Sequence, residues 1–174
     1  MIQIGGSSAT LDAPVDHLMA CHRRIEQRLD TLMAAAGHLR SNRQEALDAI
    51  RKSLHFLDSN GAMHTADEED SLFPRLRPKL SGEEVAFVDA LEQQHVAAEA
   101  IYSDLRQLVS RIASEIEVPA DLTEQYRDCA GRLRALYREH IASEDQILTP
   151  IARRSLTPGD LAEITVEMRR RRAL

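Results

Sequence analysis

The feature that most constrains this chain is a histidine followed four residues later by a glutamate, a pair that recurs along its length. A spacing of four residues brings two side chains to the same face of an α-helix, one turn apart. The chain has seven histidines, and four of them carry this partner. The pairs are His22–Glu26, His64–Glu68, His95–Glu99 and His140–Glu144. Imidazole and carboxylate groups at helical spacing are typical of metal-binding helices, so the sequence predicts a helical protein with a metal site.

Two of the four pairs belong to a longer internal repeat. After both His64 and His140 the sequence has Glu at the fourth position, Leu at the eighth, Pro at the tenth, Arg at the thirteenth and Leu at the sixteenth. A repeat at this level of detail indicates two similar halves, each of which contributes the same ligand pattern.

Apolar residues recur every three or four positions through most of the chain, as in helices that bury one face. They predict four long helices over about residues 12–156, with a histidine in each apolar stripe. Pro14 favours the start of the first helix, and Ser81 with Glu84 predicts a capping box for the third. A short last helix is predicted over about 158–172. The predicted fold is therefore all-α, an antiparallel up-down four-helix bundle with a short extra C-terminal helix.

Composition narrows the class of protein further. We expect one domain over residues 1–174, with an irregular arm over 1–11. The net charge of −6 argues against general nucleic-acid binding. No apolar run is long enough to span a membrane, and the N-terminal residues do not resemble a signal peptide. Cys21 and Cys129 are isolated in the sequence, which favours free thiols in a reducing compartment. These features predict a cytoplasmic protein and leave its oligomeric state open.

The four histidines lie early in the first and third predicted helices and late in the second and fourth. In an antiparallel arrangement they therefore fall at matching heights, and the four pairs meet in one layer of the core. Burying a carboxylate without a partner costs on the order of several kcal/mol, which a metal centre would offset. Mixed imidazole and carboxylate ligands suit iron or manganese. Because the four pairs offer more ligands than one ion needs, two metal ions are predicted.

The sequence resembles the bacterial hemerythrin-like (HHE cation-binding) domains over about residues 12–156. The motifs that carry the resemblance are His22, His64-x-x-x-Glu68 before Leu72-Phe73-Pro74, His95, and His140-x-x-x-Glu144. The resemblance implies two iron ions joined by an oxo or hydroxo group, with Glu68 and Glu144 as bridging carboxylates and the histidines as terminal ligands. Glu99 stands where oxygen-carrying members have a second histidine, and is a further predicted ligand. The implied metal ligands are His22, His64, Glu68, His95, Glu99, His140 and Glu144. Zinc or manganese could occupy the same ligands.

Several other polar residues have two interpretations from the sequence. Glu26 is either a further ligand or a surface ion-pair partner of a neighbouring arginine. Tyr102 and Tyr137 either reach the ligands through a hydrogen bond or electron donation, or they fill the core.

Charged residues near the ligands are predicted to form a solvated face: Asp67, Glu69, Asp70 and Asp145. Asp145 also competes with Glu144 for the bridging position, and the internal repeat favours Glu144. The run Arg169–Arg172 predicts a solvated helix end favoured by the helix dipole, with a docking role as the alternative.

The leading functional hypothesis is a non-haem di-iron protein that binds or reacts with a small oxidant, namely dioxygen, peroxide or nitric oxide. One alternative is an iron-binding, redox-sensing or iron–sulfur repair-type module without turnover. Another is a structural bundle with a buried polar layer. The expected partner is a small-molecule oxidant or gas, with no nucleic acid and no membrane.

Overall fold

The computed structural model describes residues 11–173, and within this range all regular secondary structure is helical. The prediction of an all-α fold is confirmed. Residues 1–10 and Leu174 lie outside the described residues, so the predicted arm is described only at Leu11. That residue is buried, and its carbonyl oxygen accepts a hydrogen bond from Thr165. None of the described helices is long and apolar enough to cross a membrane.

The described residues form eight α-helices joined by short turns. The helices are α1 (Pro14–Ala36), α2 (Arg43–Phe56), α3 (Ala62–Asp67), α4 (Phe73–Leu76), α5 (Glu83–Ser114), α6 (Ala120–Ser143), α7 (Thr149–Ser155) and α8 (Pro158–Arg171).

Wider π-helical turns connect several of these helices with no non-helical residue between them. They are Leu57–Gly61 between α2 and α3, Glu68–Leu72 between α3 and α4, and Glu144–Leu148 between α6 and α7. A 3-10 turn, Arg77–Lys79, follows α4. We refer to α2 through α4 as the first rod and to α6 with α7 as the second rod.

The starts of α1 and α5 show which local signals act in the folded chain. Pro14 is the first residue of α1, as predicted, because the first turn of a helix has no use for its missing N–H. The predicted capping box of Ser81 and Glu84 is wrong. The residue before α5 is Gly82, whose φ of +54° is rarely adopted by residues with a side chain. A glycine turn therefore starts this helix, with no side-chain cap.

Helix α8 begins with a reciprocal cap and ends against the rest of the protein. Thr157 and Asp160 exchange hydrogen bonds between side chain and backbone, which satisfies donors at the open end of the helix. Ile164 and Met168 of this helix are buried. Helix α8 therefore packs on the rest of the protein through an apolar face.

Contacts between the long helices follow a regular order. Leu32 of α1 accepts a hydrogen bond from Tyr126 of α6. Asp30, which precedes Leu32, pairs with Arg134, which follows Tyr126. Between α5 and α6, His95 faces His140, whereas Ile101 accepts a hydrogen bond from Cys129. In each helix pair the partners therefore occur in opposite order along the two helices.

Two hydrophobic clusters fill the interior. The larger cluster is built from α1, α2, α5 and α6 and includes Leu29, Leu47, Ile112 and Tyr126. The smaller cluster takes in the ends of both rods and α8, and includes Phe73, Leu91, Ile151 and Met168.

Histidines mark the boundary between the two clusters. On α1, His22 lies between Leu18 of the smaller cluster and Ile25 of the larger one. On α5, His95 falls in the same way between Leu91 and Ala98. A polar layer therefore crosses the interior between two apolar regions.

Candidate metal centre

Six polar side chains occupy the layer between the two hydrophobic clusters. They are His22, His64, Glu68, His95, His140 and Glu144, and none is more than 8% exposed. Helices α1 and α5 each supply one histidine, whereas each rod supplies a histidine and a glutamate. Charged side chains are seldom buried to this degree unless they are paired or coordinate a metal.

The six residues fall into two groups of four that share both carboxylates. One group is His22, His64, Glu68 and Glu144, and the other is His95, His140, Glu68 and Glu144. In each group, one ligand atom from every residue lies within 4.8 Å of the others. We call these the His22 group and the His95 group.

Glu144 turns one carboxylate oxygen toward each group. Its Oε2 lies 3.0 Å from Nε2 of His22, and its Oε1 lies 3.3 Å from Nε2 of His140. This is the orientation that a carboxylate bridging two ions requires.

Glu68 repeats the arrangement from the opposite rod. Its Oε1 lies 3.2 Å from Nε2 of His64, and its Oε2 lies 3.5 Å from Nε2 of His95. Both shared carboxylates therefore span the two groups.

Several of these atoms are buried without a hydrogen-bond partner. Within residues 11–173 they include Nε2 of His22, Oε2 of Glu68 and both carboxylate oxygens of Glu144. Buried polar atoms are nearly always satisfied, so four unsatisfied ones directed at one spot indicate a missing partner. Their lone pairs and negative charge fit a cation.

The far ring nitrogens of two histidines show which atoms face the centre of the layer. Nδ1 of His22 lies 2.8 Å from Asp145, and Nδ1 of His95 lies 2.8 Å from Glu69. A carboxylate only accepts, so each Nδ1 carries the proton and donates. The lone pair on each Nε2 is therefore free for a metal ion.

The other two histidines differ in this support. Nδ1 of His140 lies 2.8 Å from the side-chain oxygen of Gln94, whereas Nδ1 of His64 has no hydrogen-bond partner among the described residues. His140 and His95 also bring their Nε2 atoms to 3.0 Å from each other. Two lone pairs at this distance repel, and a cation between them removes the repulsion.

Both shared glutamates are the first residue of a π-helical turn, Glu68–Leu72 and Glu144–Leu148. A π-turn inserts one extra residue into the helical path and re-aims the neighbouring side chains, and such turns are frequent at functional sites. The repeated sequence therefore produces a repeated local backbone that presents each carboxylate to the layer.

Comparison with known families places this geometry in context. A model of the hemerythrin HHE cation-binding domain family matches residues 13–152. The chain belongs to the hemerythrin HHE family. No curated protein sequence matches it. The matched stretch contains all six residues of the layer and ends before α8.

Burial shifts the pKa values of this HHE layer in the metal-free chain. It lowers the pKa of His64 to about 3, with a further contribution from the nearby His22. Burial, followed by the charge of Glu144, raises the pKa of Glu68 well above its usual value. Burial also acts to raise the pKa of Glu144, but the rings of His140 and His22 outweigh it and lower that pKa. Two adjacent buried carboxylates resist joint ionisation, a cost that bound cations remove.

The structure does not bring the other two predicted His–Glu partners into the layer. Glu99 is exposed and Glu26 is half-buried, and neither belongs to the two groups found among residues 11–173. On α5 the buried stripe passes from His95 to Ala98, three residues on, so the fourth position lies at its edge. Glu99 lines a groove beside His95 instead, and its ligand role stays a prediction.

The predicted solvated face contains residues with specific partners. The prediction is wrong for Asp67, which is fully buried and lies 2.8 Å from Arg171 and 2.6 Å from Arg172. Two of the four arginines of the predicted solvated helix end are thus paired with a buried carboxylate of the same chain. Glu69 and Asp145 are partly exposed, but each holds a histidine of the layer. Their position directly after a shared glutamate in both repeats was the one signal available in the sequence.

The two tyrosines considered from the sequence differ in position. The ring of Tyr137 lies 6.2 Å from that of His140, edge to face, and burial raises its pKa to about 12. The hydroxyl of Tyr102 lies 2.8 Å from Asp58 and 3.1 Å from the carbonyl of Leu54, so it is bonded away from the ligands. Of the two, Tyr137 is the one beside the layer.

The two groups differ in their access to solvent. A groove of about 640 Å³ opens beside the His95 group and reaches His95 and Tyr137. Beside the His22 group there is only a small cavity of about 10 Å³, lined mainly by apolar residues such as Leu18 and Leu72. A volume of this size holds about one water molecule. Small molecules thus have an open approach on one side of the layer.

Proposed function

We propose that this HHE protein is a non-haem di-iron protein that binds or reacts with a small oxidant, namely dioxygen, peroxide or nitric oxide. The observation that carries the proposal is that the two ligand groups share Glu68 and Glu144, and that each carboxylate turns one oxygen toward each group. The proposed architecture is an antiparallel up-down four-helix bundle with α8 as an extra C-terminal helix. The opposite order of contacts along neighbouring helices supports it.

The proposed ligands follow the two groups. His22 and His64 would hold one ion, and His95 and His140 the other. Glu68 and Glu144 would be shared by both ions, and Glu99 is proposed as an additional ligand from the His95 side. Two bound irons, which the family resemblance would join by an oxo or hydroxo group, would supply the redox chemistry.

The residues around the layer set how a small molecule reaches it. The groove opens the His95 side to small molecules, whereas the small cavity on the His22 side is lined mainly by apolar residues. The Tyr137 hydroxyl, with a pKa of about 12, keeps its proton at neutral pH beside the groove. Because Tyr137 lines the groove, its protonated hydroxyl is a candidate hydrogen-bond donor to a molecule that enters there.

An iron-binding, redox-sensing or repair-type module without turnover is the second candidate. The buried contact between Asp67 and the end of α8 favours it, because that contact connects a ligand-bearing segment to a helix outside the family match. We further propose a single cytoplasmic domain. Both Cys21 and Cys129 are free buried thiols, which is compatible with a reducing compartment.

Metal analysis of anaerobically purified protein tests the proposal. We expect about two irons per chain by mass spectrometry, and a near-ultraviolet band of a bridged di-iron centre that appears after exposure to air. One iron per chain, or zinc alone, would contradict the di-iron assignment, and manganese would correct the metal. Substituting Glu99→Gln should weaken iron binding if Glu99 is a ligand, with Glu26→Gln as the matched control.

Turnover is tested separately with the iron-loaded protein. Peroxide consumption by the wild type that is absent from His64→Ala would support oxidant chemistry. Full iron loading without consumption of peroxide, dioxygen or nitric oxide would favour the sensing module.

A further inference from the structure

The end of helix α8 contacts a buried carboxylate that lies next to the metal layer. Asp67 directly precedes the shared ligand Glu68 and has no exposed surface. Arg171 donates to its Oδ1 at 2.8 Å, and Arg172 donates to both oxygens, at 3.2 and 2.6 Å. Bonds from two guanidinium groups to one buried carboxylate are charge-assisted and strongly directional.

The π-turn that begins at Glu68 is held at its other end as well. Arg171 donates a second hydrogen bond to the hydroxyl of Ser71, at 2.7 Å. Arg75 donates a hydrogen bond to the carbonyl oxygen of Ser71 at 3.0 Å. Its guanidinium also donates two hydrogen bonds to the carboxylate of Glu167 in α8, at 2.8 and 3.0 Å. Side chains that depend on α8 therefore bracket the turn that presents Glu68.

The second half of the repeat has no such brackets in the described structure. Ser143 stands where the first half has Asp67, and its hydroxyl bonds back to Glu139 of its own helix. Ile147 stands where the first half has Ser71, and it is 46% exposed. The contact with α8 is thus specific to the half that carries Glu68.

The charge of Asp67 explains why the arginines matter to the layer. An uncompensated carboxylate here would be a third buried negative charge beside Glu68 and Glu144, and it acts to raise the pKa of Glu68. Removing one side of a buried ion pair is strongly destabilising, because the remaining charge has no partner. The arginines neutralise Asp67 and fix the backbone from which Glu68 projects.

We propose that Arg171 and Arg172 are positioning residues for Glu68, through which docking of the C-terminal helix and metal binding strengthen each other. The inference rests on the proposed metal centre. Because such coupling is reciprocal, a docked α8 tightens metal binding and bound metal tightens the docking of α8. The tightness with which α8 docks would then depend on whether metal is bound, as the sensing alternative requires.

The direct experiment compares two double variants of the full chain. Arg171→Gln/Arg172→Gln removes both contacts with Asp67. Arg169→Gln/Arg170→Gln makes the same charge change on the same helix, where Arg169 pairs with exposed Asp12 and Arg170 is exposed. Each protein is loaded anaerobically with ferrous iron, and iron release to a chromogenic chelator is timed.

The first double variant should release iron roughly 10–100-fold faster, the range typical of residues that orient metal ligands. The control variant should stay within about twofold of wild type, since surface charges away from the site contribute little. Arg171→Lys/Arg172→Lys keeps the charge without the fork, so it should restore part of the loss. It also keeps the test informative if the glutamine variant folds poorly. Equal rates of iron release from Arg171→Gln/Arg172→Gln and from the control Arg169→Gln/Arg170→Gln would overturn the proposal while leaving the di-iron function intact.

Two further measurements separate positioning from general destabilisation. In an Asp67→Asn background, the Arg171→Gln/Arg172→Gln substitutions should have little additional effect on iron release, because their target charge is gone. Amide hydrogen exchange at the end of α8 should slow when wild-type protein is loaded with iron. Exchange that does not respond to iron would overturn the linkage, whereas wild-type protein that binds no iron would overturn the proposed function and the linkage together.

Discussion

The two halves of the repeat present the same ligands from different surroundings. In both, a histidine and a glutamate lie one turn apart and the glutamate begins a π-turn. Around Glu68, the neighbouring Asp67 is buried and bound by α8, whereas around Glu144 the equivalent Ser143 bonds within its own helix. The comparison shows that the local backbone is enough to aim each ligand. What packs outside it can differ.

The halves also support each other across the layer. Glu69 of the first rod holds His95 of the His95 group, and Asp145 of the second rod holds His22 of the His22 group. Each rod therefore orients a histidine that comes from a different helix. This cross-bracing predicts that damage to one half is felt in both ligand groups.

The largest expected effect comes from removing a shared carboxylate. Glu68→Ala and Glu144→Ala should each reduce iron from about two per chain to well below one, because both ions lose a ligand in either variant. Metal analysis after gel filtration measures this. A Glu139→Ala variant, which removes an exposed carboxylate near His140, is the control and should retain full loading. Retention of one tightly bound iron by either glutamate variant would show that the groups are not bridged as assigned.

The next effect separates the two groups. His64→Ala should weaken the ion of the His22 group, and His140→Ala that of the His95 group, leaving about one iron per chain in each case. The distinction is measurable by stepwise iron titration. Loss of both irons from only one of these variants would mean that the two groups fill in a fixed order.

The pH dependence of stability in the metal-free protein tests the lowered pKa of His64, the histidine whose Nδ1 has no hydrogen-bond partner among the described residues. The pKa of His64 falls from 6.5 to about 3 on folding, chiefly through burial. Between these values the unfolded chain binds more protons, so the contribution to stability is present above pH 6.5 and is lost as pH falls toward 3.

Denaturant titrations across this pH range should show that His64→Gln loses less stability on acidification than wild type, by about 2–4 kcal/mol. The raised pKa of Glu68 works in the opposite direction, which the comparison with wild type largely cancels. His55→Gln removes an exposed histidine and should follow the wild-type curve. Parallel curves for wild type and His64→Gln would show that His64 does not titrate in this way.

The smallest expected effect concerns the cross-bracing residues. Glu69→Ala and Asp145→Ala should each weaken iron binding by roughly 10–100-fold, since each removes the acceptor that orients a ligating histidine. Iron affinity measured by competition with a chelator provides the comparison. The two losses should be similar despite the different surroundings of the halves. A loss confined to Glu69→Ala would show that the half bound by α8 dominates the site.

The spacing of histidine and glutamate was enough to predict an all-α chain and the layer in which six side chains meet. It did not distinguish Glu68 and Glu144 from Glu26 and Glu99, which have the same offset. On the rods, Glu68 and Glu144 are buried and each begins a π-turn, whereas Glu26 and Glu99 lie in regular α-helix and are not buried. A π-turn depends on how the helix packs, so a short pattern does not reveal it.

The contacts between the arginines of α8 and Asp67 could not be predicted from the sequence for a different reason. Asp67 and Arg171 are 104 positions apart, and both look like ordinary surface charges when each is judged by its neighbours in the sequence. Only the packing of α8 on the first rod buries one beneath the other. Propensity and periodicity predicted the helix at the C-terminus but not the side of the protein it covers.

The polar layer also determines how the interior can come apart. It divides the apolar core into two clusters. Because apolar burial is the main source of cohesion and little of it crosses the layer, we expect each cluster to be able to lose its packing separately. The cluster that contains α8 is the smaller and should open at the lower free energy. Ions bound to ligands from both rods, α1 and α5 would fasten the clusters across their common boundary. Metal occupancy would thus decide whether the chain melts as one cooperative unit or as two.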